Sequence, residues 1–331
     1  MYTFIRSLLF LLPPEIAHQI SLATLSWFSG RSTDLSPISS EDAPINVMGL
    51  CFQNRFGIAA GLDKNGAHIR ALAALGFGFI EVGTVTPKPQ LGNPKPRLFR
   101  IPKAAALINR MGFNNVGVDA LIANVKRANF QGILGINIGK NAETPLERAA
   151  DDYVFCLEKV YPYASYIAVN ISSPNTPGLR ELQNKEHLDH LLSQLKKTQF
   201  ECAKKHQRYA PLVVKISPDL DAKTLKQLAE SLLTHHIDGV IATNTTLARD
   251  TICQFKHAKE TGGLSGKPLF ELSLNTVTQL SHHLAGAMPI IACGGISNKA
   301  EMTQMISAGA SLIQIYTSFI YQGPRIVKCF L

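Results

Sequence analysis

The stretch Asn170-Ile-Ser-Ser-Pro-Asn-Thr-Pro-Gly178 concentrates side chains that chemistry could use. Pro174 and Pro177 fix φ, so Asn170, Ser173, Asn175 and Thr176 can be held around a bound molecule at a reduced ordering cost. Taken alone, the same run also reads as a turn between a strand and a helix, because Ser, Asn, Pro and Gly are turn residues. Lys64, Lys215, Asn109, Asn137 and Asn244 add two cations and more neutral amides. Donors and acceptors of this kind suit a flat, anionic, heteroatom-rich ligand with imide edges. Asp63 is the one obvious carboxylate among them, and hard cations want several oxygens, so no metal is expected.

These residues need a scaffold that brings distant segments to one place. Eight apolar runs of strand length recur along the chain: 56–60, 79–83, 133–138, 166–170, 212–216, 240–243, 290–293 and 312–316. They do not alternate polar with apolar, and helical patterns follow most of them, as expected of a parallel sheet covered on its outer face. Thr144-Pro-Leu-Glu147 has the pattern of a capping box, and Asp221 and Ser297 are expected N-caps. Eight such units predict a closed (β/α)8 TIM barrel, with a doubly wound open sheet as the alternative. In a barrel, catalytic groups sit at the C-terminal tips of the strands. Here those tips carry Ala60-Gly-Leu-Asp-Lys-Asn65, Thr84, Asn137, Asn170, Lys215, Thr243-Asn-Thr-Thr246, Gly294-Gly295 and Tyr316-Thr317.

The last two tips lie where barrels bind phosphate through backbone N–H groups, and Gly262-Gly-Leu-Ser-Gly266 could close over them. No G-x-G-x-x-G follows the first strand, which argues against a Rossmann dinucleotide site. A mononucleotide such as FMN fits better, with its phosphate at the seventh and eighth strands and its ring over the mouth.

The chain of 331 residues, 46% hydrophobic, can bury a large core. Its six scattered cysteines show no C-x-x-C pair and suit a reducing compartment. A net charge of +9 favours anionic partners, but no basic run is long enough to favour nucleic acid. Residues 4–12 form an apolar run too short to span a bilayer, and Pro13-Pro14-Glu15 stands where a signal-peptide cleavage site would need small residues. A pair of short helices remains, the second with Ile16, Ile20, Ala23 and Trp27 at helical spacing. Such a pair fits either a membrane interface or a cap packed on the barrel. Two other functions fit parts of the pattern. A Schiff-base aldolase would use Lys215 as its amine, and a non-catalytic membrane-surface binder would use the basic charge and the N-terminal helices.

The motifs Ala59-Ala-Gly-Leu-Asp-Lys64, Glu81-Val-Gly-Thr-Val-Thr-Pro87, Asn109-Arg-Met-Gly-Phe-Asn114, Gly135-Ile-Asn-Ile-Gly-Lys140, Asn170 to Gly178, Ala242-Thr-Asn-Thr-Thr246 and Gly262 to Gly266 resemble those of the membrane-associated class 2 dihydroorotate dehydrogenases. The resemblance covers almost the whole chain. It implies an FMN barrel that oxidises dihydroorotate to orotate in pyrimidine synthesis and passes the electrons to a membrane quinone. By position it implies that Ser173 is the base removing the C5 proton while the C6 hydride moves to the flavin, with Thr176 and Phe113 shaping the proton path. Soluble relatives have cysteine where Ser173 stands, so serine favours the quinone-linked class. Lys215 is implied to stabilise negative charge on the reduced flavin.

Substrate contacts are implied for Lys64, Asn109, Arg110, Met111, Gly112, Phe113, Asn170, Asn175, Asn244 and Thr245. FMN contacts are implied for Ala59, Ala60, Gly61, Lys64, Thr84, Asn137, Asn170, Lys215, Thr243, Gly266, Gly295, Tyr316 and Thr317. Ala292 departs from the family, which commonly has glycine there, and a small local adjustment is expected. The resemblance also turns the N-terminal helices into an apolar quinone tunnel resting on the lipid surface, with His18, Arg100 and Tyr316 at its inner end. The expected division is a helical segment over 1–38 and a barrel over 39–331. With neither a targeting segment nor a spanning helix in the sequence, the expected location is the cytoplasmic face of a bacterial inner membrane, as a peripheral protein.

Overall fold

The computed structural model describes residues 2–29 and 43–330, so the boundary expected at residue 38 lies outside the described residues. Helices α1 (Tyr2–Leu9) and α2 (Pro14–Ser29) come first, as the N-terminal pattern predicts, followed by an antiparallel hairpin of β1 (Ile45–Val47) and β2 (Leu50–Phe52). Further strands are β3 (Phe56–Ile58), β4 (Phe79–Val85), β5 (Leu98–Ile101), β6 (Ala106–Asn109), β7 (Ile133–Ile138), β8 (Tyr166–Asn170), β9 (Leu212–Ile216), β10 (Gly239–Ala242), β11 (Gly263–Gly266), β12 (Ile290–Cys293) and β13 (Ala310–Ile315). Eight of them, β3, β4, β7, β8, β9, β10, β12 and β13, close in that order into a parallel barrel. Each is one of the eight apolar runs, with ends shifted by up to two residues.

Helices α3 (Ile69–Ala73), α4 (Val118–Ala128), α5 (Ala149–Val160), α6 (Lys185–His206), α7 (Ala222–Thr234), α8 (Phe270–Leu284) and α9 (Lys299–Ser307) alternate with the strands, and α10 (Thr317–Gln322) and α11 (Arg325–Phe330) follow the last one. Their buried faces merge with outward-facing strand residues such as Val82, Ile136, Val169 and Val214. Inward-facing Phe79, Tyr166, Ala168, Val213, Ile241, Ile291 and Leu312 form a second cluster, so each strand is apolar on both faces and shows no alternation.

The barrel interior is filled by setting aromatic rings against glycines. A Cβ on Gly57 would fall 2.5 Å from the Phe79 ring, and one on Gly135 would fall 2.2 Å from the Tyr166 ring. The hairpin plugs the N-terminal end with Val47 and Phe52, whose ring meets Phe79 edge to face at 5.3 Å. Each such buried aromatic contributes about 1.5–3 kcal/mol. Only the opposite end is left for a ligand.

Two helix starts differ from expectation. Asp221 does cap α7, its Oδ1 accepting from Thr224 N at 2.7 Å. The cap of α9 is Asn298, however, whose Oδ1 accepts from Glu301 N at 2.9 Å, while Ser297 donates its N–H and hydroxyl to the Glu301 carboxylate. Thr144 forms no capping box: a 3-10 turn over Leu146–Arg148 precedes α5, and the Thr144 carbonyl accepts from buried Lys140 Nζ at 2.7 Å.

Strands β5, β6 and β11 form a separate antiparallel sheet that the apolar pattern does not reveal. Its register sets Asn109 opposite Gly263, and Ala106 opposite Gly266. The first helix and the turn after it are tied down by side chains reaching backbone, whereas α2 pairs its Glu15 with Arg97. Tyr2 Oη donates to Ile320 O at 2.7 Å and Arg6 to Tyr321 O at 2.9 Å. Arg100 donates to Phe10 O and Leu12 O at 3.1 and 2.9 Å and lies over the Phe10 ring. Phe4, Leu8, Leu11, Ile16 and Phe28 are exposed on this pair. Among the described residues, no helix is long and apolar enough to cross a membrane.

Candidate active site

The C-terminal ends of the barrel strands open into a cavity of about 1020 Å³ that continues without a break between α1 and α2. Lys215 on β9 and Asn170, the last residue of β8, are register partners with 6% and 5% exposure, and both line it. The loop after β8 is held from several sides. Tyr153 Oη donates to Asn170 O at 2.7 Å, Ser173 Oγ accepts from Asn175 N at 3.3 Å, and Asn175 Nδ2 donates to Asn109 Oδ1 at 3.2 Å. Arg180 Nε donates to Ser172 O, and its two terminal nitrogens reach Asp219 and Thr245 O, stapling this loop to those after β9 and β10.

The cavity brings together Ala59, Ala60, Gly61, Lys64, Thr84, Asn109, Met111, Gly112, Phe113, Asn170, Ser173, Asn175, Lys215, Thr243, Asn244, Thr245, Gly266, Gly295, Tyr316 and Thr317, with His18 and Arg100 towards the helices. Three expected site residues do not line it. Asn137 is fully buried below the mouth, accepting from Thr84 Oγ1 at 2.5 Å. Arg110 pairs with Glu260 at 2.7 Å and lies over the Phe99 ring. Thr176 is buried, and its hydroxyl has no hydrogen-bond partner.

Lys64 donates to Gly61 O at 2.9 Å. Burial, and then the Arg97 guanidinium, lower its pKa to about 8, against the pull of Glu15 and Asp63. It remains largely charged at neutral pH. Burial and the Lys64 charge hold His18 at about 4, so that imidazole is neutral. Burial pushes the Tyr316 phenol up to about 12. The inner end of the helical passage is therefore uncharged at His18 and Tyr316.

The donor set fits an FMN-like ligand. Gly294 and Gly295 adopt φ of +124° and +77°, and a Cβ on Gly295 would lie 2.4 Å from Phe270 N at the start of α8. A Cβ on Gly266 would lie 2.3 Å from Ala105 O. These glycines let backbone on the cavity wall pack directly against the start of α8 and against Ala105, an arrangement able to take a phosphate at a helix N-terminus. Gln314, which lines the cavity, has a buried side-chain oxygen without a partner. Ala292 is fully buried between Ala242 and Ile313, so its methyl belongs to the barrel wall.

A family model described as dihydroorotate dehydrogenase matches residues 43–330. The chain belongs to the dihydroorotate dehydrogenase family. It is 56% identical over 327 residues to a curated dihydroorotate dehydrogenase (quinone) of Aromatoleum aromaticum, covering 99% of this chain and 93% of the relative. A protein of the same name from Klebsiella pneumoniae (strain 342) is 56% identical over 328 residues, covering 99% and 98%. The crystal structure of DHODH in complex with ferulenol from Eimeria tenella superposes with a TM-score of 0.89 at 36% identity, covering 96% of this chain and 89% of that one.

Sequence reasoning missed Arg180, Gln314 and the role of Glu81. Gln314 and Glu81 had a readable signal: each is a polar residue inside an apolar strand run, where it must find partners.

Proposed function

We propose that this protein oxidises dihydroorotate to orotate in pyrimidine biosynthesis, using bound FMN and a membrane quinone as acceptor. The observation that carries the reading is the single cavity with two unlike ends, one ringed by amides and lysines and the other walled by apolar helices. A small anionic heterocycle suits the first end and an apolar quinone the second. FMN, when bound between them, supplies the acceptor for two electrons from dihydroorotate and the means to pass them to the quinone.

Gly266, Gly294, Gly295 and Thr317 would hold its phosphate, with Ala59, Ala60, Gly61, Thr84, Thr243 and Lys215 along the remainder and Asn137 beneath. Lys64 would meet the substrate carboxylate, while Asn109, Asn170, Asn175 and Asn244 would meet its imide. Ser173 Oγ would take the C5 proton. A serine is a weak base, so water exclusion by Phe113 and the loop, and a proton outlet through the unpartnered Thr176 hydroxyl, are part of the proposal. Arg110 would then orient Asn109 and Met111 through the backbone. We assign residues 1–38 to a peripheral membrane segment, with His18, Arg100 and Tyr316 at the inner end of the quinone passage. The exposed apolar side chains of α1 and α2 support contact with lipid at the cytoplasmic face of a bacterial inner membrane.

The visible spectrum of the purified protein under anaerobic conditions tests the assignment. A flavin spectrum that bleaches with dihydroorotate is expected. A flavin that does not bleach removes the substrate, and a protein that stays colourless after FMN is supplied removes the cofactor and favours a Lys215 aldolase.

A further inference from the structure

Glu81 lies inside the barrel on β4, 1% exposed, and every group aimed at its two oxygens is a donor. Oε2 accepts from Tyr166 Oη at 2.8 Å and from Gln314 Nε2 at 2.7 Å, and Oε1 accepts from Asn137 Nδ2 at 2.9 Å. Gln314 Nε2 also donates to Tyr166 Oη at 3.3 Å, which leaves the phenol proton for Glu81.

A carboxylate accepts only, so Asn137 must turn its NH2 group to Glu81 and its oxygen the other way. Thr84 Oγ1 donates to that oxygen at 2.5 Å, which commits the Thr84 proton. Thr84 Oγ1 then accepts from Asn170 Nδ2 at 3.0 Å. Asn170 is left presenting its oxygen, which accepts from Ser172 N at 3.3 Å and from Ser172 Oγ and Asn244 Nδ2, both at 3.2 Å. Asn244 in turn keeps its own oxygen for Thr245 N at 2.8 Å. Thr84, Asn170 and Asn244 line the cavity, whereas Glu81 does not.

We propose that Glu81 is a positioning residue of this site: through Asn137 and Thr84 it makes Thr84 an acceptor for the Asn170 NH2 group, so that the Asn170 oxygen stays with the Ser172 N–H and the Asn170 and Asn244 pair at the mouth keeps one arrangement. The Ser172 and Thr245 backbone N–H groups hold the Asn170 and Asn244 oxygens from one side. The relay anchored on a carboxylate demands the same orientation of Asn170 from the other side. The same anchor explains Gln314, whose NH2 is drawn to Glu81 while its oxygen is left without a partner.

The relay predicts an unusual rescue. Glu81→Gln can keep its oxygen on Tyr166 and Gln314, but its new NH2 then faces Asn137. Asn137 must turn over and the Thr84 proton reverses, so Thr84 and the Ser172 N–H then compete for the one Asn170 oxygen and the pairing with Asn244 is disturbed. Adding Asn137→Asp restores the direction, because the carboxylate it introduces accepts both from the new glutamine and from Thr84. The proposal rests on the assignment of orotate to this mouth, and the test separates the two. In holoenzyme, orotate affinity is read from the change it causes in the flavin spectrum. Glu81→Gln is expected to weaken orotate by about tenfold or more, and the double variant to return to within about threefold of wild type. Unchanged affinity in Glu81→Gln, or no recovery in the double variant, overturns the proposal. If the single variant fails to fold, the double variant decides alone: near-native affinity supports the relay and lost affinity overturns it. Thermal unfolding reads the same cycle with no ligand. Each single substitution should lower Tm and the pair should restore it; additive losses overturn the relay even if orotate is not the ligand.

Discussion

At the barrel mouth, Asn170 touches Thr84, Ser172 and Asn244 through hydrogen bonds of 3.0–3.3 Å, and the neighbouring loops are stapled together by Arg180. At the other end of the cavity, Tyr2, Arg6 and Arg100 hold α1 and the turn after it by reaching main-chain oxygens, and α1 buries none of its residues. The mouth is specified side chain by side chain, as a site must be if it is to distinguish a polar heterocycle from its neighbours. The helical end offers apolar surface with few directional groups, and an apolar acceptor needs little more. On the proposed function, substrate selection and electron exit would be built from different forces in one cavity.

The largest expected effect tests the mouth. Ser173→Ala should retain FMN yet slow flavin reduction by dihydroorotate by about 10²–10⁴-fold, measured by anaerobic rapid mixing. Unaltered kinetics would remove Ser173 from the proton step. Gly295→Ala forces a Cβ to within 2.4 Å of the Phe270 backbone at a φ of +77°. It should lower the FMN-to-protein ratio of purified material by about tenfold, and full occupancy would move the phosphate elsewhere.

The lysine at the mouth gives a graded effect. Because Lys64 titrates at about 8, orotate affinity should be flat below that pH and fall by up to about tenfold per unit above it, as the neutral amine loses its attraction for a carboxylate. A flat profile through that range would detach Lys64 from the substrate. The smallest effect concerns the joint between the two ends. Glu15 on α2 accepts from Arg97 Nε and Nη2 at 3.0 and 2.9 Å, and Arg97 also donates to Leu91 O and Asn93 O. Glu15→Gln keeps the shape but loses the charge, and should cost about 1–2 kcal/mol in urea unfolding. No loss would mean that α2 is held by its apolar contacts alone.

The barrel was legible because its strands are apolar on both faces, which leaves a plain signal for each of the eight. The β5, β6 and β11 sheet was not, since its strands lie in loops between barrel elements; Gly263–Gly266 reads as a glycine-rich turn and pairs only because Ala106–Asn109 lies beside it. Most of the polar lining of the cavity mouth was legible as polar residues at strand tips. Position within a motif puts Asn137 and Arg110 with the ligand, but their side chains turn to Glu81 and Glu260. Side-chain direction depends on partners far away in sequence. The caps of α5 and α9 fail for a similar reason: Asn141 O takes the Thr144 N–H, and the Glu301 carboxylate takes the Ser297 N–H and hydroxyl.

Two unlike ends in one cavity should give two half-reactions that can be separated. The direct measurement is anaerobic rapid mixing of full-length protein and of a variant lacking residues 1–30, following the flavin first with dihydroorotate and then with a long-chain quinone. The shortened protein should still be bleached by dihydroorotate but no longer be reoxidised by the quinone. Reoxidation at the full-length rate would contradict the division of the cavity, because the electrons would then leave by a route that does not use the helices.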